Sequence, residues 1–218
     1  MKPVRIGVSG AAGRMGKRVV AIAAARKDVA LSCALESPDS AALGSDAGEL
    51  AGVKRLGVPV SEKLVAGSCD VLVDFSSPRA LPGRLSACLS KRIPWVVCAT
   101  GWDEPFRARL KKASRAIPIV LAPNTSLGAN LLRILSRTAA ETLAPHGVEV
   151  EIIEAHHARK KDAPSGTALW VAEAIEEALG SRKRRRAYGR RGPSGSRSPG
   201  KSGSTPCAPA RSSGSTRF

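Results

Sequence analysis

The feature that most constrains the fold is an apolar strand followed by a glycine-rich turn and a helix at the start of the chain. Residues 4–9 (VRIGVS) are followed by GAAGRMG at 10–16 and by helical apolar spacing at 19–23. This order is the context that a phosphate-binding fingerprint requires. Gly10 would permit a tight turn, Gly13 a close approach of backbone to a pyrophosphate, and Gly16 close helix–strand packing. The spacing is G-x-x-G-x-x-G rather than G-x-G-x-x-G, so a glycine turn without a ligand stays an alternative on this motif alone.

A glutamate at the end of the second predicted strand supports the same interpretation. The apolar residues 30–35 end at Glu36, about 20 residues beyond Gly16, where a carboxylate would accept hydrogen bonds from an adenosine ribose. A surface glutamate after a strand is the alternative. Ser37 follows rather than a basic residue, which leaves Arg14 as the nearby cation for a 2′-phosphate. The pattern therefore allows either NADH or NADPH as the cofactor.

Further strands alternate with helices along the first half of the chain. Apolar runs predict a short strand near Val58 and strands at 71–75, 95–99 and 119–122, with helices at 76–89 and 106–113. This alternation predicts an α/β fold with a Rossmann-type, doubly wound parallel sheet. Ligands of such sheets lie beyond the carboxyl ends of the strands. The Ser, Thr, Gly and Asn residues of the loops at 75–78, 99–102 and 123–126 therefore suit a nicotinamide ring and its ribose.

The stretch 149–168 (EVEIIEAHHARKKDAPSGTA) places proton donors beside a possible anion site. After a helix over Leu127–Leu143, alternating apolar residues at 148–153 predict a strand that leads into His156, His157 and Lys160. Asp162 or Ser165 can cap a helix over 168–179, whose first N–H groups would bind a carboxylate. Histidine titrates near neutral pH, and lysine is a compact proton donor. The alternative is a solvated strand end with no ligand.

Composition separates a mildly basic body from a strongly basic tail. The net charge is +17, but residues 181–218 hold 11 Lys/Arg and no Asp/Glu, so residues 1–180 carry 24 − 18 = +6. The tail is rich in Arg, Ser, Gly and Pro and predicts disorder, with a nucleic-acid-binding arm as the alternative. Five unpatterned cysteines indicate reduced core residues and no metal site. We expect no membrane span and no secretory signal.

Seven strings along the chain resemble dihydrodipicolinate reductase, the 4-hydroxy-tetrahydrodipicolinate reductase of bacterial lysine and diaminopimelate synthesis. They are GAAGRMG (10–16), ALE (34–36), GSDAGELAG (44–52), VDFSSP (73–78), ATGW (99–102), APNTSLGAN (122–130) and EIIEAHHARKKDAPSGTA (151–168). The resemblance implies an NAD(P)H-dependent oxidoreductase that reduces a cyclic dicarboxylate. It also implies a homotetramer. From the reduced cysteines and the charge distribution we expect a cytoplasmic protein without nucleic-acid or membrane partners.

The resemblance assigns roles where the motifs align. His156 would be the catalytic proton donor and acceptor, and Lys160 the proton donor to the reduced substrate. His157, Gly166 and Thr167 would hold the substrate carboxylates. The dinucleotide would be held by Gly10, Ala11, Ala12, Gly13, Arg14, Met15, Glu36, Cys98, Ala99, Thr100, Ala122, Pro123, Asn124 and Thr125. The family's usual G-T-T-G is Cys98-Ala99-Thr100-Gly101 in this chain, and its usual Asn-Phe-Ser is Asn124-Thr125-Ser126, which leaves the cofactor preference open.

The expected domains are a dinucleotide-binding domain at 1–126, a partial α+β substrate-binding and tetramerisation domain at 127–200, and a tail at 201–218. After Gly200 the sequence departs from the family, and a one-base deletion at the Lys201 codon would account for Gly200 to Phe218 as written. We therefore expect a frameshifted, disordered basic tail and a chain that is poorly soluble or inactive. The alternatives to an active reductase are this inactive form and a related NAD(P)-dependent dehydrogenase of another small dicarboxylate.

Overall fold

The computed structural model describes residues 2–156, 163–180, 186–188 and 203–206. The chain divides into two compact units, Met1–Pro123 and Asn124–Phe218, which are described separately below. His157, Lys160 and Asp162, which the sequence singled out, lie outside the described residues. No helix among the described residues is long and apolar enough to cross a membrane.

The first unit is a parallel α/β sheet with helices on both faces. Its elements are β1 (Val4–Ser9), α1 (Arg14–Ala25), β2 (Val29–Leu35), α2 (Ala47–Leu50), β3 (Val60–Ser61), β4 (Val71–Asp74), α3 (Leu81–Lys91), β5 (Trp95–Val97), α4 (Glu104–Ala113) and β6 (Ile119–Leu121). The strand order is β3-β2-β1-β4-β5-β6, and each neighbouring pair is parallel. The order reverses between β1 and β4, which makes their carboxyl ends the expected position of a ligand. The predicted doubly wound parallel sheet is confirmed.

Two apolar clusters cover the two faces of this sheet. Ala34 and Leu35 are neighbours on β2 and point to opposite faces, because successive strand residues alternate. On one face, Leu85 of α3 and Leu110 of α4 pack with Leu35. On the other, Val20 of α1 packs with Ala34. The carboxyl-terminal halves of β1 and β2 are buried on both faces, and the central strands are mostly apolar, as their sequence had indicated.

Several predicted boundaries in this unit were wrong. The short strand near Val58 lies at Val60–Ser61, and the strands after it end one or two residues earlier than expected. The helix predicted from Ser76 begins only at Leu81. Residues 77–80 form a turn instead, in which the Ala80 N–H donates to the Ser77 carbonyl at 3.0 Å. The carboxylate of Asp74 holds the Ser76 N–H at 2.9 Å, which keeps this residue in the loop.

The loop between β2 and β3 is organised by one buried carboxylate. Asp46 is 8 % exposed and accepts hydrogen bonds from four backbone N–H groups, those of Gly48, Glu49, Leu56 and Val58, at 2.9–3.2 Å. These bonds, led by the one from Leu56, lower the pKa of Asp46. Because the folded pKa is depressed, the carboxylate stabilises the fold above its unfolded pKa of about 3.9, and the contribution is lost as the pH falls through the folded value.

We expect Asp46→Asn to lower the melting temperature at pH 7, because an amide group would face backbone donors where the carboxylate now accepts. The gap between variant and wild type should close below about pH 4, where the wild-type carboxyl group also becomes protonated. Thermal unfolding at several pH values measures both effects. Asp39→Asn removes the same charge from an exposed position of the same loop and serves as the control. A gap that stays constant down to low pH would contradict this account.

The second unit packs two helices against each other and carries a small sheet. Its elements are α5 (Leu127–Leu143), a 3₁₀ turn (Ala144–His146), β7 (Glu151–Glu154), α6 (Gly166–Ala178), β8 (Ala187–Tyr188) and β9 (Gly203–Pro206). Ala140 of α5 packs with Val171 and Ile175 of α6. The Arg133 guanidinium stacks over the Trp170 ring at 4.9 Å. The strand order is β7-β9-β8, with parallel pairs.

The structure differs from the composition-based expectation at β8 and β9, which lie in the segment predicted to be disordered. β9 runs between β7 and β8 and pairs with both. The physical reason is that ladder hydrogen bonds use backbone groups, which a sequence poor in apolar side chains still provides. The remainder of residues 201–218 lies outside the described residues.

Candidate active site

The turn after β1 is a tight glycine loop whose shape depends on the absence of side chains. Gly10 has a φ of 76°, and a Cβ there would lie 2.8 Å from the backbone of Phe75. A Cβ on Gly16 would overlap the carbonyl oxygen of Gly10. The Gly10 and Ala11 N–H groups donate to the Leu35 carbonyl at 2.9 and 3.1 Å, which fastens the loop to the end of β2.

The first turn of α1 has the properties of an anion site. Gly13 is its N-cap and supplies no side-chain cap. The N–H groups of Arg14, Met15 and Gly16 have no intrahelical acceptor, because they belong to the first turn. Arg14 and Met15 are exposed, so this end of the helix is accessible. Backbone N–H groups at a helix N-terminus, together with the helix dipole, favour a phosphate.

Glu36 lies directly against this loop. Its carboxylate accepts from the Ala12 N–H at 2.8 Å and from the Ser37 N–H at 3.3 Å. The structure therefore brings together the glycine loop and the residue predicted to hold the adenosine ribose. Ala12 and Glu36 are half-buried, which leaves part of the carboxylate facing solvent.

The loops after β4 and β5 are tied together by Asp74, which is fully buried. Its backbone carbonyl accepts from the Cys98 and Ala99 N–H groups at 2.9 and 3.0 Å, and its carboxylate accepts from Trp95 Nε1 at 3.2 Å. Cys98 and Ala99 are buried, and Thr100 beyond them is exposed. Burial raises the pKa of Cys98 to about 11, so its thiol is protonated and uncharged at neutral pH. In the sequence, Asp74 is one residue of an otherwise apolar run, which gives no sign of this role.

These features fit a dinucleotide in the first unit. A loop that cannot accept a Cβ brings backbone close to a ligand, an uncapped helix N-terminus suits a pyrophosphate, and a carboxylate at the end of β2 suits a ribose diol. Ser76 adds a buried hydroxyl that has no hydrogen-bond partner within the described residues. Ala122, whose N–H donates to the Val97 carbonyl at 2.9 Å, and Pro123 follow β6 at the same edge of the sheet and are half-buried.

The N-terminus of α6 is the corresponding feature of the second unit. Ser165 caps the helix by accepting from the Ala168 N–H at 3.1 Å, so the serine alternative for the cap is confirmed. The N–H groups of Gly166 and Thr167 lie in the first turn and have no intrahelical acceptor. A Cβ on Gly166 would meet no atom of the described residues within 4 Å. The turn can therefore hold a carboxylate, as the sequence predicted for Gly166 and Thr167.

Asn124 contacts this helix start. Its side-chain Nδ2 donates to the Thr167 hydroxyl at 3.0 Å, and its Oδ1 accepts from the Ser126 N–H at 2.9 Å. Asn130 donates to the Asn124 carbonyl at 3.0 Å and fixes the loop before α5. The structure thus places Asn124, a predicted cofactor residue, against Thr167, a predicted substrate residue. Thr125, beside Asn124, is exposed.

His156 follows β7 and is held by a carboxylate of the same strand. Its Nε2 lies 2.8 Å from Oε2 of Glu154, while Oε1 of Glu154 accepts from the Ser165 N–H at 2.8 Å. Burial acts to raise the pKa of Glu154, but the hydrogen bonds from Ser165 and His156 outweigh it, and the pKa lies below its usual range. One ionised carboxylate therefore joins the predicted catalytic histidine to the cap of the predicted carboxylate-binding helix. The predictions for His157 and Lys160 fall outside the described residues.

Among the described residues, no group of three or more His, Cys, Asp or Glu side chains could hold a metal ion.

The two carboxylates that organise the candidate sites, Asp74 and Glu154, were not identified from the sequence. For Glu154 a signal was present, because it stands two residues before His156 and ends an alternating strand.

The family models that match this chain are those of dihydrodipicolinate reductase. The model of its N-terminus matches residues 4–125, and the model of its C-terminus matches residues 128–207. The two matches together include all of the glycine loop, Glu36, His156 and the start of α6.

Curated relatives carry the name 4-hydroxy-tetrahydrodipicolinate reductase. The chain is 44% identical to the one from Thiobacillus denitrificans over 199 residues, which cover 90% of this chain and 74% of the relative. It is 44% identical to the one from Geobacter metallireducens over 179 residues, which cover 81% of this chain and 66% of the relative. Among solved structures, the dipicolinate-bound dihydrodipicolinate reductase from Paenisporosarcina sp. TG-14 matches with a TM-score of 0.64. That match has 24% identity and covers 94% of this chain and 78% of the other, so it supports the fold alone.

Proposed function

Because this chain belongs to the dihydrodipicolinate reductase family, we propose that it reduces 4-hydroxy-tetrahydrodipicolinate to tetrahydrodipicolinate with NADH or NADPH. The observation that carries the proposal is the Glu154 carboxylate, which contacts both His156 and the Ser165 cap of α6. A proton-exchanging side chain and an open helix N-terminus are thereby held in one unit. A reductase of a dicarboxylate needs both.

In the first unit, the chain's own groups would bind and orient the dinucleotide. The N–H groups of Arg14, Met15 and Gly16 would hold the pyrophosphate, with Ala11, Ala12 and Gly13 forming the loop beside it. Glu36 would accept from the adenosine ribose. Cys98, Ala99, Thr100, Ala122 and Pro123 would line the nicotinamide end. Asn124 and Thr125, which begin the second unit, are proposed as further cofactor-binding residues. A bound NADH or NADPH supplies a hydride for an electron-poor conjugated ring.

In the second unit, the N–H groups of Gly166 and Thr167 would hold a substrate carboxylate, and we propose His157 as a further substrate-binding residue. The dipole of the 13-residue helix α6 adds to this attraction, and Ser165 keeps the first turn in shape. Asn124 holds the Thr167 hydroxyl at 3.0 Å and so orients the residue that follows Gly166.

Proton transfer would fall to His156 and Lys160. Reduction leaves charge on the enamine side of the ring, and a positioned donor must protonate it. The imidazole of His156 can give and regain a proton, and Lys160 supplies a second donor. A cation beside two bound carboxylates also stabilises the charge that develops during the reaction.

We infer a homotetramer in the cytoplasm. Support for assembly comes from α5, on which Leu127, Leu131, Ile134 and Leu135 are each more than half exposed. Monomeric proteins rarely expose a contiguous apolar face of this kind. Support for a reducing compartment comes from four buried free cysteines among the described residues.

The comparisons favour the reductase over the two alternatives, a dehydrogenase of another dicarboxylate and an inactive chain. Cofactor oxidation by the purified chain with 4-hydroxy-tetrahydrodipicolinate, compared with its oxidation with other small dicarboxylates, tests all three. The tail had led us to expect an inactive chain, but the C-terminal family model matches as far as residue 207. We therefore expect NADH or NADPH oxidation that depends on 4-hydroxy-tetrahydrodipicolinate and not on the other dicarboxylates. Faster oxidation with another dicarboxylate would favour the related dehydrogenase, and no oxidation with any of them would contradict the proposal.

A further inference from the structure

The carboxylate of Glu154 contacts two different groups, and its position allows it to orient both. Glu154 ends β7, and its side chain is 13% exposed, whereas that of His156 is 35% exposed. Its two carboxylate oxygens have different partners at the same distance, since Oε1 accepts from the Ser165 N–H at 2.8 Å and Oε2 lies 2.8 Å from His156 Nε2. A half-buried carboxylate with a separate partner on each oxygen has a fixed orientation, and so does each partner.

The chemistry of the pair then fixes the imidazole. An ionised carboxylate has acceptor sites only, so Nε2 of His156 must carry the hydrogen that lies between the two groups. In the neutral ring only one nitrogen bears a proton, which leaves the lone pair on Nδ1. We infer that Glu154 is a positioning residue that holds His156 as the Nε2–H tautomer and makes Nδ1 the atom that exchanges protons with the substrate.

The inference rests on the proposed function for its catalytic half, because Nδ1 matters only if His156 takes part in the reaction. The structural half stands on the geometry alone. The same carboxylate also accepts from the Ser165 N–H. Glu154 therefore sets the position of the carboxylate-binding turn of α6 relative to the imidazole.

The variant Glu154→Gln tests whether Glu154 sets the tautomer of His156. The Oε1 atom of glutamine can still accept from the Ser165 N–H, so the fold around the cap is preserved. Its NH₂ group would then face His156 and donate to Nε2, which forces the hydrogen of the neutral ring onto Nδ1. A carboxamide that imposes the wrong tautomer on a catalytic imidazole lowers kcat by up to about 10⁴-fold. That value applies to a buried histidine–carboxylate pair, and because His156 is more exposed we expect a smaller effect. The kcat of Glu154→Gln should fall at least about 10-fold, with KM within about 3-fold of wild type.

Two further variants separate positioning from structure. Glu154→Asp keeps an acceptor-only group and should recover the wild-type tautomer and part of the lost kcat. Glu173→Gln removes the same charge from an exposed position on α6 and should leave kcat and tautomer unchanged. Thermal unfolding of all variants checks that the fold is retained.

The tautomer is read from the ring ¹⁵N chemical shifts of His156 at alkaline pH, with the signal assigned through His156→Ala. We expect Nε2–H in the wild type and Nδ1–H in Glu154→Gln. An unchanged tautomer in Glu154→Gln, or a kcat within twofold of the Glu173→Gln control, would overturn the inference. If the wild type shows no turnover, the proposed function fails, and the ¹⁵N shifts alone then decide whether Glu154 sets the tautomer.

Discussion

Replacing His156 by alanine is expected to lower kcat by about 10²–10⁴-fold, the usual contribution of a general acid or base. The imidazole is 35% exposed and held at 2.8 Å from Glu154, so it can reach a bound substrate while keeping a fixed orientation. Since the alanine variant leaves the Gly166 and Thr167 N–H groups in place, substrate binding should change less than turnover. Steady-state kinetics with saturating cofactor measures the two effects separately.

His146→Ala is the matched control. His146 is an exposed histidine in the same unit, in the 3₁₀ turn after α5. It should retain wild-type kcat and KM. If His156→Ala keeps more than about a tenth of the wild-type kcat, proton transfer by this residue would no longer be part of the mechanism.

Gly16→Ala is expected to weaken binding of NADH and NADPH by more than about 100-fold, equivalent to roughly 3 kcal/mol. The added methyl group would overlap the Gly10 carbonyl oxygen, which belongs to rigid backbone rather than to a flexible side chain. The loop must therefore shift, and the N–H groups that would hold the pyrophosphate shift with it. Isothermal titration of the purified variant with each cofactor measures the loss.

Gly83→Ala provides the comparison for a glycine that is not part of the site. Gly83 lies in α3, where a Cβ would meet nothing within 4 Å, and alanine is the better helix former by about 1 kcal/mol. This variant should bind the cofactor as the wild type does and be at least as stable. Equal cofactor affinity for Gly16→Ala and Gly83→Ala would contradict the role given to the glycine loop.

The first unit was predictable because its sequence signals are local and redundant. A buried parallel strand is a continuous apolar run, and the glycine loop between β1 and α1 has few alternatives to the fold it adopts. Helix and strand ends were less predictable. Ser76 follows a strand and has a composition suited to a helix start, yet its N–H is held by the Asp74 carboxylate, so α3 begins at Leu81.

The candidate residues were predictable one at a time, but not their partners. The motif pointed to His156, Gly166 and Thr167, whereas the contacts of Glu154 with Ser165 and of Asn124 with Thr167 join positions far apart in sequence. No periodicity records such pairs. The catalytic and binding roles of these residues stay predictions until the variants are measured.

The prediction of disorder for residues 181–218 was wrong at β8 and β9. Composition measures how much apolar surface a segment can bury, and by that measure residues 181–218 should stay unstructured. It carries no information on backbone pairing, by which β9 lies between β7 and β8. The strand at Gly203–Pro206 therefore could not have been found from side-chain content.

The fate of the hydride tests the central claim most directly. The purified chain is incubated with 4-hydroxy-tetrahydrodipicolinate and with NADH or NADPH that carries deuterium at both C4 positions of the nicotinamide, and the product is analysed by mass spectrometry. We predict tetrahydrodipicolinate that carries a single deuterium, formed in step with cofactor oxidation. A product free of deuterium, or cofactor oxidation that yields no tetrahydrodipicolinate, would contradict the account.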